Sequence, residues 1–173
     1  MAFSLYENSV LTYLQILPAV SSCLDKGLAF CQEKGIELDS IVSRRIFPDM
    51  RPFGYQVHAL VHHSLGAVEG IKRGLFEPPS TLPDRAYNEL RSLVVDARLK
   101  LEKVTPAEIN DLWGKDLIFQ VGENKRVFTT ENFLTSFSLP NFYFHVTTAY
   151  GILRGKGVPV GKRDYLGAMR TKG

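Results

Sequence analysis

Residues 130–154, TENFLTSFSLPNFYFHVTTAYGILR, carry Phe133, Leu134, Phe137, Phe144, Tyr150 and Leu153 at helical spacing. A long amphipathic stripe of this kind reads as a core-facing helix. Glu131 suits its positive end. Pro140 lies inside the pattern, which continues on both sides, so the expectation is a kink rather than a break. The stretch ends at Arg154-Gly155.

Immediately upstream, residues 116–121 and 125–129 form two short runs around Gly122-Glu123-Asn124 and read as a β-hairpin. Before them, Thr105-Pro106-Ala107-Glu108 is a capping box on a short helical turn. A third long helix is announced by Thr81, Pro83 and Asp84 and runs through Leu90, Leu93, Val94, Ala97 and Leu101 to about Val104. A second long helix starts near Pro52, carries Phe53, Val57, Leu60, Val61, Leu65, Val68 and Ile71, and stops at Gly74. The first runs from Ser4 to about Lys34 with a kink expected at Pro18, and Gly35 stops it. Between the first two, Asp39 to Arg45 reads as a short helix.

Four long helices with one small hairpin before the last make a mainly all-α four-helix bundle. The roughly 18-residue span between the first two helices has room for a crossover connection. The whole chain, residues 1–173, reads as one domain.

Bulk properties exclude several classes. Apolar residues make up 45% and charged residues 23%, a globular composition. A net charge of +3 with scattered lysines and arginines lacks the dense basic face of a nucleic-acid binder. No window approaches eighteen uninterrupted apolar residues, and the N-terminus lacks a signal-peptide pattern, so neither a membrane span nor export is expected. Cys23 and Cys31 are eight residues apart on one helix, roughly 12 Å, too far for a disulfide. Reduced thiols suit a cytoplasmic protein.

Chemistry centres on histidine. His58, His62 and His63 crowd into the second helix, and His145 stands alone on the fourth. His58 and His62, spaced i,i+4, share a face and could clamp a metal together, or form a solvated boundary pair. His145 is flanked by Phe142, Phe144, Val146 and Ala149, so a partly buried ring is expected, and a buried imidazole must find a partner. Asn141 and Thr148 share its face. Two readings follow: a core histidine satisfied by hydrogen bonds, or a catalytic or ligating group. Gly161-Lys162-Arg163-Asp164 reads as a charged turn. Its alternative is a loop folded back over the bundle, with Arg163 and Asp164 paired and Tyr165 and Leu166 beneath.

The segment Leu139 to Arg154, with Gly157-Val158-Pro159-Val160-Gly161-Lys162-Arg163-Asp164-Tyr165-Leu166-Gly167, resembles the signature of an uncharacterised family within the DinB/YfiT superfamily. Ser4-Leu5-Tyr6, Pro48-Asp49-Met50, Pro52 and Gln56-Val57 extend the resemblance over nearly the whole chain. It implies a four-helix bundle with a crossover connection and a ligand site at one open end. Members with known activity are metal-dependent thiol-linked transferases and isomerases. Their metal is held by one histidine on helix two and an HxxxH pair on helix four.

By that resemblance His145 is the second histidine of the pair, Asn141 occupies the place of the first, and His62 is the helix-two ligand, with His58 or His63 as fallbacks. The metal implied is zinc, nickel or iron. Whether or not a metal is present, His62, Asn141 and His145 are the catalytic candidates, flanked by Tyr55, Gln56, Tyr143 and Tyr150, with Lys162 and Arg163 as further binding candidates. The function expected is an enzyme acting on a small molecule by transfer, isomerisation or another acid–base rearrangement. The alternative is a non-catalytic bundle that binds a ligand or self-associates, with a degenerate metal site. Homodimerisation is expected only by analogy.

Overall fold

A computed structural model describes residues 4–79 and 83–172. Helix α1 spans Leu5–Asn8, α2 Val10–Lys34 and α3 Asp39–Val42. Helices α4 (Phe53–Val61) and α5 (Ala67–Arg73) are joined by a widened π turn, His62–Gly66. Then follow α6 (Tyr87–Leu101) and α7 (Pro106–Asn110). The last long stretch is α8 (Thr130–Asn132), a second π turn at Phe133–Ser138, and α9 (Leu139–Gly155). A short α10 spans Lys162–Leu166. No helix among the described residues is long and apolar enough to cross a membrane.

The fold is the DinB-like helical one that the resemblance implies. Helix α4 packs on α9 and α6, and α2 packs on the same two helices. The principal contacts therefore run α2, α6, α4, α9 and back to α2, which puts the consecutive helices α2 and α4 across the bundle and makes residues 35–52 the crossover. Tyr13, Leu17, Leu24, Phe53, Leu60, Leu90 and Phe142 fill the centre with negligible exposure. Gly35 and Gly74 end α2 and α5 at φ values of 62° and 72°, the left-handed conformation glycine adopts without a Cβ clash.

Several details differ from the sequence reading. The first helix is interrupted at Ser9; as expected, it is not broken at Pro18. Pro18 faces solvent, so water can serve the carbonyl its missing N–H leaves free. Proline 140 does not break the fourth helix either; the Phe133–Ser138 π turn stands directly before it. The third helix starts at Tyr87, where the Glu89 carboxylate accepts from the Ala86 N–H at 2.7 Å. Of the expected start signals, Thr81 lies outside the described residues. The Thr105–Glu108 capping box is present, with Glu108 accepting from the Thr105 N–H at 2.7 Å.

The hairpin is present as β2 (Asp116–Val121) and β3 (Asn124–Thr129), antiparallel with Val121 opposite Asn124. A two-residue strand β1, Leu75–Phe76, adds in parallel to β2 and makes the sheet three-stranded. This brings Phe76 under the helices, 4.9 Å ring to ring from Phe133. The 162–166 segment does fold back, onto α2, but Asp164 pairs with Lys26 at 2.6 Å rather than with Arg163. Cys23 and Cys31 are free and buried.

Candidate functional site

The site is built where α4 and its π turn face α9. Gln56, in the first turns of α4, is buried and spends its amide group in two directions. Its Nε2 donates to the Arg51 carbonyl at 2.9 Å, and its Oε1 lies 2.7 Å from His145 Nδ1. These contacts fix the protons. A carbonyl only accepts, so the amide nitrogen must face Arg51 and the amide oxygen must face the ring. That oxygen also only accepts, so His145 carries its proton on Nδ1. Burial pushes the His145 pKa down to about 4, so the ring is neutral at pH 7 and its Nε2 presents a lone pair.

Seven residues after Gln56, on the same helix face, His63 stacks on His145 with ring centroids 5.8 Å apart and an interplanar angle of 16°. Burial, reinforced by the neighbouring His62 and His145, drives the His63 pKa down to about 3. Two stacked neutral imidazoles thus occupy the interface. Phe137 and Phe76 close around His63 at 5.5 and 5.6 Å. The Tyr55 ring stands edge-on to His145 at 6.0 Å, and the exposed Phe144 at 5.2 Å.

The π turns explain how polar groups reach this depth. Widening a helix turn frees backbone groups from their usual partners, and such turns concentrate at functional sites. Ser138, at the end of the second π turn, donates its hydroxyl to the His63 carbonyl at 2.7 Å. The buried Tyr13 hydroxyl lies 3.2 Å from the Ser138 Oγ. Because Ser138 uses its one proton on His63, Tyr13 must donate to Ser138. Burial raises the Tyr13 pKa and keeps it a donor. In the first π turn, Ser64 caps the Leu60 carbonyl at 2.8 Å.

The other candidates fall differently. His62 packs on Phe76 at 4.5 Å and on His63 at 5.5 Å, so His63 is the helix-two histidine beside His145. Burial lowers the His62 pKa too. Asn141 turns its Nδ2 back to the Phe137 carbonyl at 2.7 Å, within its own helical stretch. The partner of His145 is therefore Gln56, not Asn141, while Thr148 bonds the Phe144 carbonyl. Tyr143 is 39% exposed, its ring 5.7 Å from that of Phe142, with its pKa raised by burial of the remainder. Tyr150 meets Tyr165 at 5.8 Å and lines a small apolar cavity of about 20 Å³ with Cys23 and Leu24, too small for a substrate. Lys162 and Arg163 are exposed on α10. Ser138 and Tyr13 were not singled out from the sequence; isolated polar residues inside an apolar stripe were the only signal.

A metal of the kind the superfamily resemblance implies needs three converging ligands. Among the described residues no three His, Cys, Asp or Glu side chains come together as such a group. Asn141 offers only an amide oxygen, a poor donor for zinc, nickel or iron(II) beside imidazole. The set His62, Asn141 and His145 therefore does not fit a three-ligand transition-metal site.

The chain matches the family model "Domain of unknown function (DUF1993)" over residues 5–166. It belongs to that family. A DinB family member protein from Shewanella denitrificans, known as a crystal structure, resembles this DUF1993 protein with a TM-score of 0.78 and 29% identity, covering 98% of this chain and 95% of that one. The DUF1993 fold is thus DinB-like. Comparison with curated proteins gives no match.

Proposed function

We propose that this DUF1993 protein is a cytoplasmic enzyme acting on a small organic molecule, with His145 Nε2 as the proton acceptor and Gln56 as the residue that positions it. The observation that carries this reading is the chain Arg51 carbonyl, Gln56 amide, His145 Nδ1, which leaves one imidazole nitrogen bare. The reaction class is transfer, isomerisation or another acid–base rearrangement. A base this weak, its imidazolium losing its proton near pH 4, needs negative charge developing beside it, as when a thiol or a carbon acid loses its proton.

One observation favours the second reading, a ligand-binding or self-associating bundle with a degenerate site. His145 is only 8% exposed and its Nδ1 is already satisfied, as in a structural core histidine. Turnover separates the two. The assay is a panel of small thiols, carbonyl compounds and thiol adducts, run with wild type, His145→Gln and Gln56→Leu. The enzyme reading expects turnover that falls about a hundredfold or more in His145→Gln, in line with the usual contribution of general acid–base catalysis. It expects a smaller loss in Gln56→Leu. Turnover unaffected by His145→Gln contradicts it, and saturable ligand binding without turnover supports the degenerate bundle. Sedimentation of the same samples tests the homodimer expected by analogy.

A further inference from the structure

On the outer side of α4, a cleft of about 850 Å³ opens between that helix, α3 and the segment leading into α6. Its volume suits a small metabolite. Three arginines, Arg45, Arg51 and Arg85, contribute to its walls together with Tyr55 and His58. Two carboxylates, Asp39 and Asp84, also line it. Yet the ion pairs of the described residues join other partners: Lys26 to Asp164, Lys34 to Glu33, Lys72 to Glu108, Arg91 to Asp25 and Arg98 to Glu102. None of these pairs takes a cleft arginine, so the three guanidinium groups exceed the two carboxylates and stay free of a close partner ion.

Two buried atoms here lack any hydrogen-bond partner among the described residues, Arg85 Nε and His58 Nε2. A guanidinium Nε–H is a donor only, and burying it unpaired is unfavourable unless something arrives to accept from it. Arg85 lies close enough to His58 to lower its pKa, adding to the effect of burial. Arg51 lies over the Tyr55 ring, 5.3 Å from its centroid, which holds the guanidinium at the rim. Arg45 is anchored through the Met50 carbonyl.

We infer that this cleft is a binding site for a small organic anion, a carboxylate or phosphate compound whose oxygens accept from Arg85 and Arg51 beside His58. Planar guanidinium forks match both oxyanions. Tyr55 faces both this cleft and His145, so a bound anion lies one aromatic ring from the proton acceptor. The inference does not depend on that acceptor being catalytic, because its test reads binding alone.

The test is isothermal titration of the full chain with inorganic phosphate and, separately, succinate, at constant ionic strength set with chloride. Saturable binding of at least one probe is expected, weakened tenfold or more in Arg85→Gln and several-fold in Arg51→Gln. The Arg51 substitution leaves its backbone carbonyl, and so the Gln56 contact, in place, and it serves if Arg85→Gln fails to fold by circular dichroism. Binding by phosphate but not succinate assigns a phosphate ligand, and the reverse a carboxylate. No saturable binding of either probe, or equal binding by a folded Arg85→Gln and by Arg51→Gln, overturns the inference.

Discussion

The hydroxyl of Ser138 donates to the main-chain carbonyl of His63 across 2.7 Å, tying together the two π turns on the helices that face each other at the site. Tyr13 completes the connection by donating to Ser138. Both hydroxyls are buried, so neither is replaced by water if the other is lost.

Ser138→Ala strips the Tyr13 hydroxyl of its acceptor and the His63 carbonyl of its side-chain donor. A buried polar group stripped of its partner costs about 1–3 kcal/mol. Urea denaturation is expected to show a lower midpoint with an unchanged slope. A midpoint equal to wild type would mean the hydroxyl contributes nothing to holding the turns together.

Gly27 lies where α2 passes α6 and α9. A Cβ there would stand 2.3 Å from the Tyr87 hydroxyl and 3.3 Å from Leu153. That hydroxyl donates to the Leu24 carbonyl at 2.9 Å from a ring that is 1% exposed, so it has nowhere to retreat. Gly27→Ala is expected to destabilise by about 1–3 kcal/mol, the usual range for an overpacked core, despite the better helix propensity of alanine. Thermal unfolding checks it; a raised Tm would show that α2 and α6 can part without loss.

Acid should weaken the fold through the histidines. Burial holds His63 at about 3 and His145 at about 4, below the roughly 6.5 of an unfolded chain. Between these values the unfolded state binds more protons, so stability is complete above pH 6.5 and falls as pH drops toward 4. For His63 the steepest possible slope is about 1.4 kcal/mol per pH unit. His63→Leu should flatten this limb in denaturation measured from pH 7.5 to 4.5. An unchanged limb would place the acid sensitivity elsewhere.

Much of the architecture was legible because apolar spacing sustained over several helical turns, as in the Phe53 to Ile71 stripe, leaves little room for another reading. The chemistry of Thr105 to Glu108 and of Gly122 was equally local. The π turns were not legible, since one widened turn barely disturbs a 3.6-residue stripe. Strand β1 was missed because two residues, Leu75 and Phe76, are too few to show alternation. At the site, His145 was found through its apolar neighbours, but its partner was sought four residues away on its own helix. Gln56 is 89 positions distant, a tertiary pairing that no local pattern reports. The choice among His58, His62 and His63 turned on which shares a face with Gln56. The seven-residue step from Gln56 to His63 was a usable signal in the sequence.

The central claim is that Gln56 holds His145 neutral with its proton on Nδ1 and its lone pair on Nε2. Long-range ¹H–¹⁵N correlation of histidine-labelled protein at pH 7 reads this directly, and with four histidines, assignment needs only His145→Gln as a control. The account predicts a neutral Nδ1–H tautomer for His145 that is lost or mixed with the other tautomer in Gln56→Leu. An Nε2–H tautomer, or an imidazolium at pH 7, would contradict it.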